Sequence, residues 1–209
     1  MFNNIQLTLR KRLKIILPFW VLIVGYFIIL EWVEPIPSPI WIAWVDQFIP
    51  FIWWMIIPYY FHYIGLILPP LLFKNKSKLI ILRETSILIT LVCYMSFIIW
   101  PISASVVWNV IEPNHLDLLY SILLKNGWDQ NSFPSMHVAI SCFFMWVFAF
   151  EFPKVKWGLY IIGFSIFLST FLIKQHFIID SIAGIIIAYA GFKYWIKKGK
   201  FDHDRKDNN

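Results

Sequence analysis

Six stretches of this chain are apolar for long enough to cross a lipid bilayer, and no other feature restricts its folding as much. They run approximately over residues 14–33, 50–73, 79–100, 133–152, 157–174 and 177–197. A helix needs roughly 20 apolar residues to cover ~30 Å of hydrocarbon, and only a backbone that satisfies its own hydrogen bonds is tolerated there. With 59% hydrophobic, 20% aromatic and 14% charged residues, the chain has too little polar surface to clothe a globule in water. The sequence therefore predicts an all-α, polytopic membrane protein of six transmembrane helices with short interfacial helices in the outer loops. It reads as one membrane domain over residues 1–197, followed by a disordered cytoplasmic tail over 198–209. The first run has a basic flank, as a signal peptide does, but it lacks a small-residue cleavage site and reads as a retained anchor.

Loop charge supports an even number of crossings. With the N-terminus cytoplasmic, the inner segments hold sixteen of the 18 basic residues, and only Lys125 and Lys174 fall outside them. Lys and Arg accumulate on the cytoplasmic side, so both termini are expected inside a cell membrane. The net charge of +6 then reports topology and contact with anionic inner-leaflet lipid, and gives no reason to expect a nucleic-acid partner. Cys93 and Cys142 both fall inside apolar runs, without CxxC or zinc-site spacing, and read as small core residues. Trp32, Trp41, Trp44, Trp53, Trp54, Trp100, Trp128, Trp157 and Trp195 crowd the ends of the runs, where amphipathic rings anchor at headgroup level.

Between runs one and two, Pro35, Pro37 and Pro39 break the helix, and residues 40–48 read as a short interfacial segment. Residues 116–124 are too short to span and read as an interfacial lid or entrance helix. The connections at 153–156 and 174–176 are very short, so runs four, five and six are neighbours. Their outer ends can converge, which puts His137 and His176 on one face of the membrane.

That placement carries chemistry. His176 and Asp180 are four apart at a helix start, on one helical face. A carboxylate there can hold one imidazole nitrogen and leave the other as a lone pair aimed at phosphorus, so His176 is the expected nucleophile and Asp180 its orienter. His137 follows Pro134 and Ser135 at another helix start and, as imidazolium, can protonate a departing alkoxide. Ser135 and Lys174 are expected to donate to phosphoryl oxygens. His62, near the middle of run two, has two readings: a substrate contact or a helix-to-helix hydrogen bond. His115, Asp117 and Asp129 read as solvated loop residues.

Pro134-Ser135-Met136-His137, with Ser169, Thr170, His176 and Asp180 about forty residues on, resembles the second and third signatures of the type 2 phosphatidic acid phosphatase superfamily. The resemblance implies a phosphohistidine on His176, with Asp180 orienting it and His137 acting first as acid and then as base. It also implies phosphate-binding positions at Ser135, Ser169 and Thr170, and no metal or other cofactor. Two parts of the pattern differ here. No Arg-Pro pair occurs anywhere in the chain, and Thr170 stands where the third signature has Arg. Lys174 is placed to supply a cation, in a spacing similar to that of the sphingomyelin synthase and inositol phosphorylceramide synthase branch.

The expectation is thus a lipid phosphatase that hydrolyses a phosphate monoester or diphosphate at the extracytoplasmic face, its partners being the bilayer and a phosphate-bearing lipid. Two alternatives stand beside it: a lipid phosphotransferase that moves a phospho-headgroup to an alcohol, and a non-catalytic lipid-binding membrane protein.

Overall fold

The computed structural model describes residues 7–104, 116–124 and 132–207. The readings of Lys125, Trp128, His115 and Asp129 fall outside them. In chain order the helices are α1 (Leu9–Val24), α2 (Tyr26–Trp32), α3 (Ile40–Asp46), α4 (Ile56–Leu72), α5 (Lys76–Ile99), α6 (Asp117–Leu124), α7 (Met136–Glu151), α8 (Lys156–Leu172) and α9 (Ile178–Asp207). Single 3-10 turns, Trp53–Met55 and Pro153–Val155, lead into α4 and α8. A two-residue parallel pairing, β1 (Ile36–Pro37) with β2 (Ile102–Ser103), ties two loops together.

The protein is an all-α polytopic membrane fold. Among the described residues, five helical segments are long and apolar enough to cross a bilayer: Leu9–Trp32, Trp53–Leu72, Lys76–Ile99, Pro153–Leu172 and Ile178–Gly199. The fourth expected run forms α7, an apolar helix of only 16 residues. At 1.5 Å per residue it covers about 24 Å, less than the ~30 Å of hydrocarbon. Its length is cut at the N-terminal end, where residues 132–135 are not helical. Such backbone is tolerated at membrane depth only when protein covers it, and here Ser132 and Ser135 are both buried.

Three further differences from the sequence reading have physical causes. The first run, one span over Leu9–Trp32, is interrupted at Gly25 between α1 and α2, where Tyr94 from α5 donates its hydroxyl to the carbonyls of Leu22 (2.6 Å) and Ile23 (3.3 Å). Trp195 was expected at the headgroup level but is buried, stacked on Phe192 and edge-on to Phe150. The expected disordered tail from 198 is instead a continuation of α9 to Asp207, since a helix already nucleated extends cheaply through a Lys-rich sequence.

Packing centres on α7, most of whose side chains are buried. Cys93 and Cys142 are free and buried among the apolar residues around it. Hydroxyls on α5 are satisfied within their own helix: Thr85, Ser86 and Thr90 each donate to the carbonyl four residues back. Ion pairs collect at the end of the bundle away from the two histidines, with Lys78 bonded to Glu151 at 2.6 Å and Lys198 bonded to Glu84.

One glycine sets how closely α9 approaches α7. A Cβ on Gly184 would lie 2.6 Å from the Ser135 carbonyl oxygen and 2.9 Å from Val138 Cβ, so the two backbones meet where no side chain fits. Gly184→Ala should therefore destabilise the protein by about 1–3 kcal/mol through overpacking. Gly158→Ala, with nothing within 4 Å of the added carbon, should hold or raise stability. Thermal unfolding of both variants in detergent checks the contrast; equal behaviour would contradict the close approach.

Candidate active site

Two helix starts build the site. At the first, Ser135 caps α7, its hydroxyl accepting from the Val138 N–H at 3.4 Å. Its own N–H donates to the Asp180 carbonyl at 2.9 Å, which fixes the start of α7 to the first turn of α9. At the second, the chain reverses between α8 and α9. The N–H groups of Gln175 and His176 both converge on the Thr170 carbonyl at 3.0 Å, and Lys174 takes a left-handed conformation with φ 63°. Asp180 then reaches back from the third position of α9 to accept the Phe177 N–H at 2.8 Å, one half of a capping box.

These turns bring His137 and His176 together. Their rings are 5.7 Å apart between centroids, and Nε2 of His176 lies 3.5 Å from Nδ1 of His137. Asp180 was expected to hold the His176 ring by a hydrogen bond. The ring instead bonds through Nδ1 to the Ser132 carbonyl at 2.9 Å, and the Asp180 carboxylate stands 3.8 Å from that nitrogen. The Asp180 oxygen nearest the ring accepts the Phe177 N–H at the start of α9, and the nearer Ser132 carbonyl takes the ring N–H. A carbonyl only accepts, so Nδ1 of His176 carries a proton. Ser132 is held in turn by the β1/β2 loop, with its N–H donating to the Ile102 carbonyl at 3.0 Å.

A third element completes the surroundings. Tyr59, His62 and Tyr63 lie three and four residues apart on one face of α4. Tyr59 places its hydroxyl 3.0 Å from Nε2 of His137, and the His62 ring lies 4.6 Å from the His137 ring. His62 is itself tied to α7 through Ser141, 2.8 Å from its Nδ1, so the helix-to-helix bond read from the sequence is present. Beside the histidines is a cavity of about 130 Å³, walled mostly by apolar side chains that include Ile23, Phe27, Leu66 and Phe97. His62 also lines that cavity, together with His137 and His176.

A family model for the PAP2 superfamily matches residues 30–194, a range that contains every side chain just placed around the two histidines except Ile23 and Phe27. The chain belongs to the PAP2 superfamily. No curated protein and no solved structure matches it.

The other positions read from the sequence go elsewhere in this PAP2 protein. Ser169 donates to the Ile166 carbonyl at 2.7 Å; Thr170 bonds the Phe167 carbonyl and the Ser181 hydroxyl, each at 2.8 Å. Both hydroxyls are buried and occupied within the helix layer. Lys174 does not face the histidines: its ammonium donates to the carbonyls of Asp46 at 2.9 Å and Ile49 at 2.6 Å. Among the described residues, no lysine or arginine is found on the cavity wall.

Asp46, at the end of α3, is a residue the sequence reading passed over. It is buried, and both carboxylate oxygens accept the Ile178 N–H at 3.2 Å, beside the turn that carries His176. The only sequence sign was an acid closing an otherwise apolar interfacial segment. Burial raises its pKa to about 6, opposed by the Ile178 N–H and by Lys174, and reinforced by the Asp180 charge. Burial likewise lowers the Lys174 pKa, and Asp46 resists that shift.

A folded pKa above the unfolded value of 3.8 means the native state holds the proton more tightly. Asp46 therefore contributes stability that is fully present below about pH 4 and lost as the pH rises through about 6. The melting-temperature difference between Asp46→Asn and the native protein should move in favour of the variant over that window. A difference independent of pH from 4 to 7 would contradict the buried, protonatable carboxyl.

Proposed function

We propose that this protein cleaves a phosphate ester of a membrane lipid through a phosphohistidine on His176. The observation that carries this reading is the 3.5 Å approach of His176 Nε2 to His137 Nδ1 beside an apolar cavity. With Nδ1 protonated and bonded to Ser132, His176 presents its Nε2 lone pair to phosphorus. The N–P bond forms as the P–O bond to the leaving alcohol breaks, and His137 delivers its Nδ1 proton to that oxygen. In the second half, water attacks phosphorus, His137 takes back a proton, and the N–P bond breaks. The positive charge that the His176 ring gains on attack develops 3.8 Å from Asp180. The first-turn N–H groups of α7, next to Ser135, add donors for the phosphoryl oxygens.

The substrate's tails remain in lipid or enter the apolar cavity while its phosphate reaches the histidines. In this reading α7 is the fourth and shortest of six crossings, both termini are cytoplasmic, and the site opens on the extracytoplasmic side of a cell membrane. Lys and Arg positions at the opposite end of the bundle support that orientation.

A second reading is favoured by one feature, the absence of Lys and Arg from the cavity wall among the described residues. One imidazolium balances the single charge of a phosphodiester more fully than the double charge of a monoester, and in low dielectric that difference is large. A phosphodiester donor with a lipid or sugar alcohol in place of water makes the protein a phosphotransferase by the same steps.

Purified protein offered phosphatidic acid, polyprenyl diphosphate and a phosphodiester lipid, with and without alcohol acceptors, separates the readings. Free phosphate or exchanged headgroup should appear, with an acid-labile phosphoryl group on His176. His137→Ala should slow turnover by about 10²- to 10⁴-fold. Equal activity of the native protein and His176→Ala on every lipid would contradict the proposal.

A further inference from the structure

Four groups form a single line: the Tyr59 hydroxyl, His137, His176 and the Ser132 carbonyl, with successive separations of 3.0, 3.5 and 2.9 Å. Their hydrogen-bond directions follow by elimination. The carbonyl only accepts, so His176 donates from Nδ1. A neutral His176 must then accept at Nε2, which requires His137 to donate from Nδ1. A neutral His137 is left with a lone pair on Nε2, and among the described residues the Tyr59 hydroxyl is the group placed to donate to it. Every proton in the resting line points the same way, and the nucleophilic lone pair of His176 is engaged by its neighbour until a phosphoryl group takes that place.

Catalysis reverses one link. To act as the acid, His137 carries protons on both nitrogens, the second one taken up from solvent and held at Nε2. That N–H must now donate to the Tyr59 oxygen. The Nδ1 proton goes to the leaving alkoxide, Nε2 keeps its own, and the proton of the incoming water or alcohol returns to Nδ1. Throughout turnover Tyr59 accepts, whereas at rest it donates. A hydroxyl can do both by rotating, and a carboxylate can only accept. Tyr59 is 1% exposed, so no bulk water replaces it.

We propose that Tyr59 is the positioning residue of His137, its hydroxyl donating to Nε2 in the resting site and accepting from Nε2 when His137 works as acid and base. The proposal rests on the role given to His137 above, but its first consequence needs no substrate. The ring contact agrees with it: Tyr59 and His137 lie 4.8 Å apart at 34°, with His62 on a neighbouring side of the same imidazole. No carboxylate is required to hold His137, and the hydrogen bond comes from α4, outside both sequence signatures.

Tyr59→Phe tests this by two readouts. ¹⁵N NMR of histidine-labelled protein in detergent should show neutral His137 protonated on Nδ1 in the native protein, and should lose that preference in Tyr59→Phe. Turnover should fall about 10- to 100-fold in kcat, the equivalent of one hydrogen bond to a charged group, with KM little changed. Tyr60→Phe, whose hydroxyl bonds the Leu119 carbonyl, should retain native kcat and the native tautomer. Native His137 protonated on Nε2 alone, or Tyr59→Phe with native kcat and an unchanged tautomer, overturns the proposal. Absence of turnover in the native protein on any phosphate ester would count against the proposed reaction, while the tautomer measurement still decides the role of Tyr59.

Discussion

The Ser135 N–H bonded to the Asp180 carbonyl joins two helix starts that are forty-five residues apart in sequence, and the backbone placement of both His137 and His176 follows from that junction. It places the first turn of α7 against the first turn of α9, with Gly184 leaving the room that the contact needs. Asp180 serves it twice, with its carbonyl toward Ser135 and its carboxylate toward the Phe177 N–H. His137 and His176 lie two and four residues from these bonds, so their backbones are set by the junction, while the Tyr59 hydroxyl and the Ser132 carbonyl orient their rings.

The surrounding medium explains why the polar groups form chains. In an apolar environment each unpaired donor or acceptor is costly, so the hydroxyls and imidazoles around the site are bonded to carbonyls or to one another. Thr85, Ser86 and Thr90 meet this demand inside their own helix. The site meets it across three elements, from α4 through α7 to the turn before α9. A phosphoryl group that enters between the two imidazoles breaks one link of that line and must replace it, which ties substrate binding to the protonation of His137. Lys174 and Asp46 act outside this line, where they join α3 and the following loop to the turn that carries His176.

The apolar runs made most of the crossings legible, because length and hydropathy are what a bilayer selects. The pair of histidines was legible from spacing alone: short connections at 153–156 and 174–176 force three helices to be neighbours. Three things were not. A backbone carbonyl has no sequence signature, so the Ser132 oxygen that holds His176 could not be read. The path of a long side chain is decided by what lies within its reach; Lys174 sits close to the histidine in sequence, yet its left-handed backbone turns the ammonium toward Asp46 and Ile49. Tyr59 was visible as a polar residue in a span, but its partner depended on the rotation of α4 against α7, and periodicity within α4 says nothing about that. The length of α7 was obscured for a related reason, since Ser132, Pro134 and Ser135 are buried without being helical and pass for the start of a span.

A structure with vanadate, which adopts the five-coordinate geometry of a phosphoryl transition state, tests the central claim most directly. The account predicts vanadium bonded to Nε2 of His176, with an oxygen about 2.7–3.0 Å from Nδ1 of His137. Vanadate bound away from the two rings, or rings that stay in contact with each other at saturating vanadate, would contradict it.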